Sequence, residues 1–392
     1  MKGEKFMTGI YSKEHKYLLR SLFITQLLMG TYVLIVGNIL PQLKLEYMVD
    51  YKTGAAMMAV KSVGYFCMGL MANMLPRYIG IKKTYLIFSN LSFIGLLMMT
   101  LTGNPFMLLL DMLMIGLAQG LSGTLTDQMV NNLTDNDASA LNLLTAFYAI
   151  GACLAPLVVL LCGASWKTAL FIVVALGVIN FLLSFRVSFD ERAYVPEKKA
   201  IPDFGFLKKK SFWVCVVVLC GYMPIENIII GWLVTYLVDC QLTSDSMAQV
   251  ISIILWIALM IGRLLTTVIV KYIRPKYLIT CMTIGAVICF TVMINTHAVV
   301  LLAVMAFGIG LFIAGMYATA LGDTGDLMKT YPSCMGFFMF IPGITSMIGS
   351  GAVGLIADRA GIRSGMLFVY VCFALLAFGS VWNLLWKRKP SA

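Results

Sequence analysis

Ionisable side chains inside long apolar runs are the first residues of this sequence that could do chemistry. Glu226 lies in the run of residues 212–238, and Asp111 lies in the run of residues 105–130. A carboxyl group in a low-dielectric environment holds a proton more readily than one in water. Such a group can take a proton from one aqueous phase and release it to another. Glu226 and Asp111 are therefore the predicted proton-coupling residues.

Each of these charged groups also has a structural interpretation, which the sequence leaves open. Glu226 could instead hydrogen-bond the backbone that Pro224 interrupts. Lys61, in another apolar run, could form a salt bridge with Asp111. Alternatively, Lys61 faces a cavity and pairs with Glu226 or with an anionic substrate. If Lys61 binds substrate, carboxylates become more favourable than neutral sugars as substrates.

Four polar side chains near the ends of apolar runs are predicted gating residues. Asp127 and Asn131 stand four residues apart, so one helix face carries both. Arg263 lies toward the inner end of the eighth run, and Asp323 ends the tenth. A structural pair between these last two residues, which would hold a gate, is favoured over substrate contact.

The elements that position these groups must be membrane-spanning helices. Hydrophobic residues make up 60% of the 392-residue chain and charged residues only 12%, against about 25% charged in soluble domains. The apolar runs are about 20 residues long and do not alternate with period two, which predicts helices rather than barrel strands. There are twelve runs, the first at residues 18–41. The fold class is thus an all-α membrane protein in contact with the lipid bilayer.

The runs fall into two groups of six. The only long polar stretch between runs is residues 188–210, so the predicted domains are a six-helix bundle at 1–187, a linker at 188–210 and a second bundle at 211–392. Ile115-Gly116-Leu117 in the fourth run recurs as Ile309-Gly310-Leu311 in the tenth, 194 residues later. Internal repeats of this kind are how many secondary transporters are built.

Most of the 29 Lys and Arg residues lie on one side of such a bundle. Basic residues mark the cytoplasmic loops of membrane proteins. The pattern predicts a multi-pass protein of the bacterial cytoplasmic (inner) membrane, with the linker and both termini in the cytoplasm. The basic residues of the opposite side are Lys44, Lys52, Lys167, Arg359 and Arg363.

Composition and motifs exclude several functions. The net charge of +11 comes from loop residues, so no nucleic-acid partner is predicted. The ten cysteines lack metal-ligand or redox spacing, so neither a metal nor another cofactor is predicted. A nucleotide-binding loop is missing, and no nucleophile–base set stands out, so the chain is not predicted to be an enzyme.

The motifs resemble those of the major facilitator superfamily, and within it the fucose–galactose–glucose:proton symporter (fucose permease) branch. The fifth run has the family-like Asn142…Phe147…Gly151…Pro156 pattern. The seventh run is similar to the family in its Tyr222…Glu226…Trp232…Tyr236 spacing, and the eighth contains the family-like Gly262-Arg263. The loop signature of the superfamily is degenerate after the second run, and a fuller copy, Gly354…Asp358-Arg359…Gly361, follows the eleventh.

The resemblance implies two pseudo-symmetric six-helix bundles and a substrate site near the middle of the membrane. Sugars stack on aromatic rings and hydrogen-bond amides, and the helices that line the cavity in this family offer both. Unlike related symporters, this chain has no acid in the first run, so coupling would fall to Glu226 or an acid of the fourth. The substrate-binding residues that the resemblance implies are Gln26, Tyr32, Lys61, Gln119, Asn142, Tyr222, Asn227, Trp232, Trp256 and Tyr317.

The predicted function is secondary active transport of a small polar solute, a monosaccharide, by alternating access. We expect a monomer that uses proton symport, with sodium ion as the alternative coupling ion and facilitated diffusion still open. The alternative function is export of drugs or organic ions by proton antiport. A third class, a sensor or scaffold without transport, has no use for a charged Glu226 inside a helix.

Overall fold

The structure is a computed structural model of the chain. It describes residues 13–72, 75–133, 138–163, 165–186, 204–270, 272–324, 327, 331 and 334–385. All regular secondary structure within these ranges is helical. The chain divides into two compact units, Met1–Ala200 and Ile201–Ala392. Most of the predicted linker, residues 188–203, lies outside the described residues.

Six long helices form the described part of the first unit. A short helix, Leu75–Ile79, precedes the third of them. In chain order the long helices are α1 Lys13–Tyr47, α2 Tyr51–Met71, α3 Ile81–Met99, α4 Pro105–Leu133, α5 Ala138–Cys162 and α6 Trp166–Arg186.

The described part of the second unit also contains six helices, two of which are broken. It begins with a 3-10 turn at Gly205–Lys208. The helices are α7 Lys210–Asp239, α8 Asp245–Ile269, α9 Pro275–Asn295, α10 Val299–Ile313 and Met316–Gly322, α11 Cys334–Ala360, and α12 Ile362–Leu367 and Val369–Leu385. The twelve predicted helices are therefore confirmed.

Ten of these helices are long and apolar enough to cross a membrane by length and composition. The other two are α2 and α3, which carry lysines (Lys52, Lys61, Lys82 and Lys83). They pack against α4, so neighbouring helices cover part of their polar surface. The chain is thus a multi-pass membrane protein.

Local chemistry explains several helix boundaries. The Asp50 side chain accepts a 2.8 Å hydrogen bond from the backbone N–H of Thr53 and caps the start of α2. Helix α1 runs past Pro41 to Tyr47, beyond the predicted end at residue 41. A proline inside a helix removes a single backbone donor, and the flanking apolar residues are buried, so α1 continues.

The two units repeat the same helix packing. In the first unit α2 packs on α4, α1 on α5 and α3 on α4; in the second α8 packs on α10, α7 on α11 and α9 on α10. A Cβ atom on Gly116 of α4 would overlap the backbone of Lys61 in α2, and one on Gly310 of α10 would come within 2.6 Å of the Leu255 carbonyl oxygen in α8. Both members of this contact are shifted by the same 194 residues. Lys61 and Leu255 are therefore equivalent positions of the repeat.

Candidate functional site

A cluster of three polar side chains lies in the second unit. Glu226 is roughly 24 Å along α7 from Lys210 and roughly 20 Å from Asp239, so it lies near the middle of the helix. Tyr222 is one turn earlier on the same face, and its hydroxyl donates a 2.7 Å hydrogen bond to Glu226 Oε2. Arg263 of α8 places its Nη2 atom 3.6 Å from Glu226 Oε1. Two helices thus supply a carboxylate, a hydroxyl and a guanidinium.

Two of the three side chains in this cluster are partly exposed. The Glu226 side chain is 17% exposed and that of Arg263 34%, whereas Tyr222 is buried. A charged group inside a membrane span is costly unless it is paired. Arg263 and Tyr222 supply that compensation, and part of the Glu226 side chain stays exposed.

The backbone carbonyl that Pro224 leaves without a helical partner is hydrogen-bonded without Glu226. Proline lacks an N–H, so the carbonyl of Cys220 loses its helical partner. The Thr345 hydroxyl of α11 donates to that carbonyl at 3.2 Å. The side chain of Glu226 is directed to Tyr222 and Arg263 instead. The structural interpretation, in which Glu226 caps the broken backbone, therefore does not describe this structure.

The sequence did not anticipate the partner of Arg263. A pair with Asp323 was favoured, but the guanidinium lies beside Glu226. Asp323 accepts a 3.2 Å hydrogen bond from the Asn383 amide of α12. A helical side chain leans toward the N-terminal end of its helix, which directs Arg263 away from the nearby end of α8. The pair therefore depends on this lean and on the packing of α7 against α8.

The other aromatic and amide groups of the second unit occupy different environments. Trp232 and Trp256 are buried. Tyr317 is half-buried and its hydroxyl lies 3.1 Å from the Met339 sulfur. Asn227 is exposed, and its amide donates to the Met223 carbonyl of its own helix at 3.0 Å. Only Tyr317 and Asn227 of these four therefore present substantial accessible surface.

Two ionisable side chains inside the described helices of the first unit, Asp111 and Lys61, lie apart from each other. Asp111 of α4 is fully buried, and neither of its carboxyl oxygens has a hydrogen-bond partner. Lys61 of α2 is half-buried, and its Nζ atom donates to the Val33 carbonyl of α1 at 3.4 Å. The salt bridge between Lys61 and Asp111 that the sequence allowed is not formed.

The remaining predicted residues of the first unit are mostly enclosed. Tyr32 is buried and meets the Phe93 ring edge-on at 5.6 Å. Gln26 is buried with no hydrogen-bond partner for its Oε1 atom, while Gln119 is half-buried and Asp127 exposed. The side chains of Asn131 and Asn142 lie outside the described residues.

One polar cluster was missed by the sequence analysis. Glu46 at the end of α1 makes a 2.5 Å salt bridge to Lys167 of α6 and accepts a 2.6 Å hydrogen bond from the Trp166 indole. The Tyr47 ring meets Trp166 edge-on at 5.5 Å. The predicted first run ends at residue 41, which places Glu46 and Tyr47 in a loop, whereas α1 continues to Tyr47.

Many secondary transporters are multi-pass proteins with internally repeated helix bundles, and this chain repeats its helix packing in two units. The family model described as Major Facilitator Superfamily matches residues 22–331. The chain belongs to this superfamily, as the sequence motifs predicted.

Similar proteins agree with this assignment. Protein TsgA homolog of Erwinia tasmaniensis is 22% identical over 280 residues, which cover 68% of this chain and 69% of that protein. A point mutant of the nucleoside transporter NupG matches with a TM-score of 0.79 at 15% identity, over 95% of this chain and 99% of the other. A D-xylose-proton symporter matches with a TM-score of 0.70 at 13% identity, over 94% and 97%. At these identities the structural likenesses show the fold alone.

Proposed function

We propose that this transporter is a proton symporter that moves a small polar solute, a monosaccharide, by alternating access. The observation that carries the proposal is the Glu226 carboxylate, held near the middle of α7 by Tyr222 and Arg263 and still partly accessible. A sensor or scaffold gains nothing from such a group, whose presence in a span is costly.

The geometry supports a simple coupling step. When Glu226 is ionised, its attraction to the Arg263 guanidinium holds α7 and α8 together. Protonation of Glu226 removes the negative charge and with it the ion pair. The proton-bound and proton-free states therefore favour different arrangements of these two helices, and this difference couples proton binding to the conformation of the transporter.

Glu226 is a better coupling residue than Asp111. A proton carrier must exchange with water in at least one state, and Glu226 is 17% exposed in this structure. Asp111 is fully buried. We therefore assign coupling to Glu226 and a structural role to Asp111.

Accessible side chains are the proposed direct contacts to the solute. Among the predicted binding residues with described side chains, those that are half-buried or exposed are Lys61, Gln119, Asn227 and Tyr317. The fully buried Tyr32, Trp232 and Trp256 pack the helices that carry these contacts. The amides of Gln119 and Asn227 and the hydroxyl of Tyr317 can hydrogen-bond the hydroxyl groups of a monosaccharide.

Transport by the purified protein in liposomes tests the proposal. A labelled monosaccharide should accumulate when the external medium is made acidic, and a protonophore should abolish the accumulation. Extrusion of dyes or organic ions under the same gradient would instead establish the alternative, proton-antiport export. Movement of neither class of solute would overturn transport by this chain.

We also propose a bacterial cytoplasmic membrane location, with the N- and C-termini in the cytoplasm and a monomer as the working unit. The support is the one-sided distribution of Lys and Arg. Labelling of single cysteines placed at each end of α1 by a membrane-impermeant reagent would check the orientation. Reaction of the Lys13 end in intact cells would contradict it.

A further inference from the structure

Lys61 is a cation without an acidic partner in the described part of the first unit. It lies roughly 15 Å along α2 from Tyr51, well inside the helix. Its Nζ contact is the Val33 carbonyl at 3.4 Å, and a carbonyl inside α1 already accepts a helical hydrogen bond. A charged ammonium at this depth needs compensation, and one long bond to a shared carbonyl gives little.

The acidic side chains that the structure describes in this unit do not neutralise Lys61. Glu46 is bound to Lys167, and Asp50 caps α2 through Thr53. Asp111 is buried with both oxygens free of hydrogen bonds. Asp127 lies roughly 24 Å along α4 from Asp111.

The fold itself does not require a lysine at this position. The equivalent contact of the second unit, between Gly310 and the backbone of residue 255, is made by a leucine. Lys61 makes the same backbone approach to Gly116. The packing of this helix pair is therefore satisfied by an apolar side chain, and the charge of Lys61 calls for another explanation.

An amide lies on the neighbouring helix. Gln119 of α4 is one turn from Gly116, the residue that packs on Lys61, and residues three apart share a helix face. Gln119 is half-buried. An ammonium on α2 and an amide on the helix that packs against it suit a ligand with a carboxylate and hydroxyl groups.

We infer that the transported monosaccharide is a sugar acid whose carboxylate binds Lys61. The inference rests on the proposed function and narrows its substrate class. It also predicts the net charge that crosses the membrane in each transport cycle. A singly charged anion that travels with one proton on Glu226 carries no net charge, whereas a neutral sugar with one proton carries one positive charge.

Transport into liposomes with separate gradients tests the inference. The probes are labelled glucuronate and glucose, and a second pair is galacturonate and galactose. A pH gradient and a valinomycin-imposed potassium potential are applied one at a time. We expect a hexuronate to accumulate with the pH gradient at least tenfold above glucose or galactose, and to respond little to the potential.

Variants of Lys61, with Lys52→Met as the control, separate a binding role of Lys61 from a structural role. Lys61→Leu installs the residue of the equivalent repeat position and should keep the thermal stability of the protein while it lowers hexuronate uptake at least tenfold. Lys61→Arg keeps the charge and should retain part of that uptake. Lys52→Met, which removes an exposed lysine of the same helix, should leave uptake unchanged.

The outcomes are distinguishable. Accumulation of a neutral hexose that is driven by the potential and unaffected by Lys61→Leu would overturn the inference and leave the proposed symport intact. Loss of thermal stability in Lys61→Leu, with full uptake per folded molecule, would show that Lys61 is structural and would overturn it too. Transport of neither sugar class would overturn the proposed function together with the inference.

Discussion

The two units of the chain share their packing and differ in their charges. Each unit builds the same pairs of helices, and the Gly116–Lys61 contact of the first is matched by the Gly310–Leu255 contact of the second. The second unit pairs its charges, Glu226 with Arg263. In the first unit Lys61 contacts only a backbone carbonyl among the described residues. The shared small residues thus maintain the same helix packing in both units, whereas the charged side chains at these positions differ between them.

This difference suggests a division of labour. The paired carboxylate of the second unit can exchange a proton, because ionisation and neutralisation both have a defined partner arrangement. Lys61, which has no acidic partner among the described side chains of the first unit, is the proposed site for a substrate anion. We therefore attribute coupling to the second unit and substrate charge recognition to the first.

The largest effect on stability is expected from substitutions that disrupt the helix packing shared by the two units. Gly116→Leu and Gly310→Leu each insert a side chain where helix backbones touch. Overpacking of this kind should lower the free energy of unfolding by about 3 kcal/mol in either unit. Thermal denaturation of the purified variants measures it, with Gly351→Leu as the control, because a Cβ at Gly351 meets nothing within 4 Å. A stable Gly116→Leu would contradict the packing equivalence.

The next-largest effect is expected from substitutions in the Glu226–Arg263 pair of the second unit. Arg263→Gln leaves the Glu226 carboxylate without its cation and should lower the free energy of unfolding by about 1–2 kcal/mol, since the pair is partly exposed. The double variant Glu226→Gln/Arg263→Gln should be more stable than Arg263→Gln alone. A double-mutant cycle by thermal denaturation measures the coupling, and strictly additive effects would show that the two side chains do not interact.

The smallest effect concerns the Glu46–Lys167 pair of the first unit. Both side chains are more than a third exposed, and solvent screens an exposed ion pair so that it contributes little to stability. Lys167→Met should therefore leave the free energy of unfolding close to the wild-type value and leave transport unchanged. A loss of uptake in this variant, measured beside Lys52→Met, would show that the paired charges of the first unit also matter for function.

Much of the fold could be predicted from the sequence, because long apolar runs have few solutions in a membrane. The twelve helices follow from those runs, and the Gly116/Gly310 repeat anticipated the shared packing. Helix ends are harder to predict: the predicted first run ends at residue 41, whereas α1 continues through Pro41 to Tyr47, because the burial of the flanking apolar residues outweighs the local cost of the proline.

The sequence predicts which charged residues lie inside the spans better than it predicts which side chains they contact. Glu226 and Lys61 stood out because charges inside apolar runs are rare. The pairing of Arg263 with Glu226 could not be derived, because it depends on how α7 and α8 pack and on which way a long side chain leans. The burial of Tyr32 and Trp232 likewise depends on helix rotation, which a nearly uniform apolar sequence does not specify.

The most direct test of the account separates coupling from movement of the solute. Glu226→Gln removes the proton-binding group and keeps the side chain's size, so the protein should still exchange labelled for unlabelled substrate in counterflow while it no longer accumulates substrate against a gradient. Accumulation driven by a pH gradient at the wild-type level in this variant would contradict the central role of Glu226.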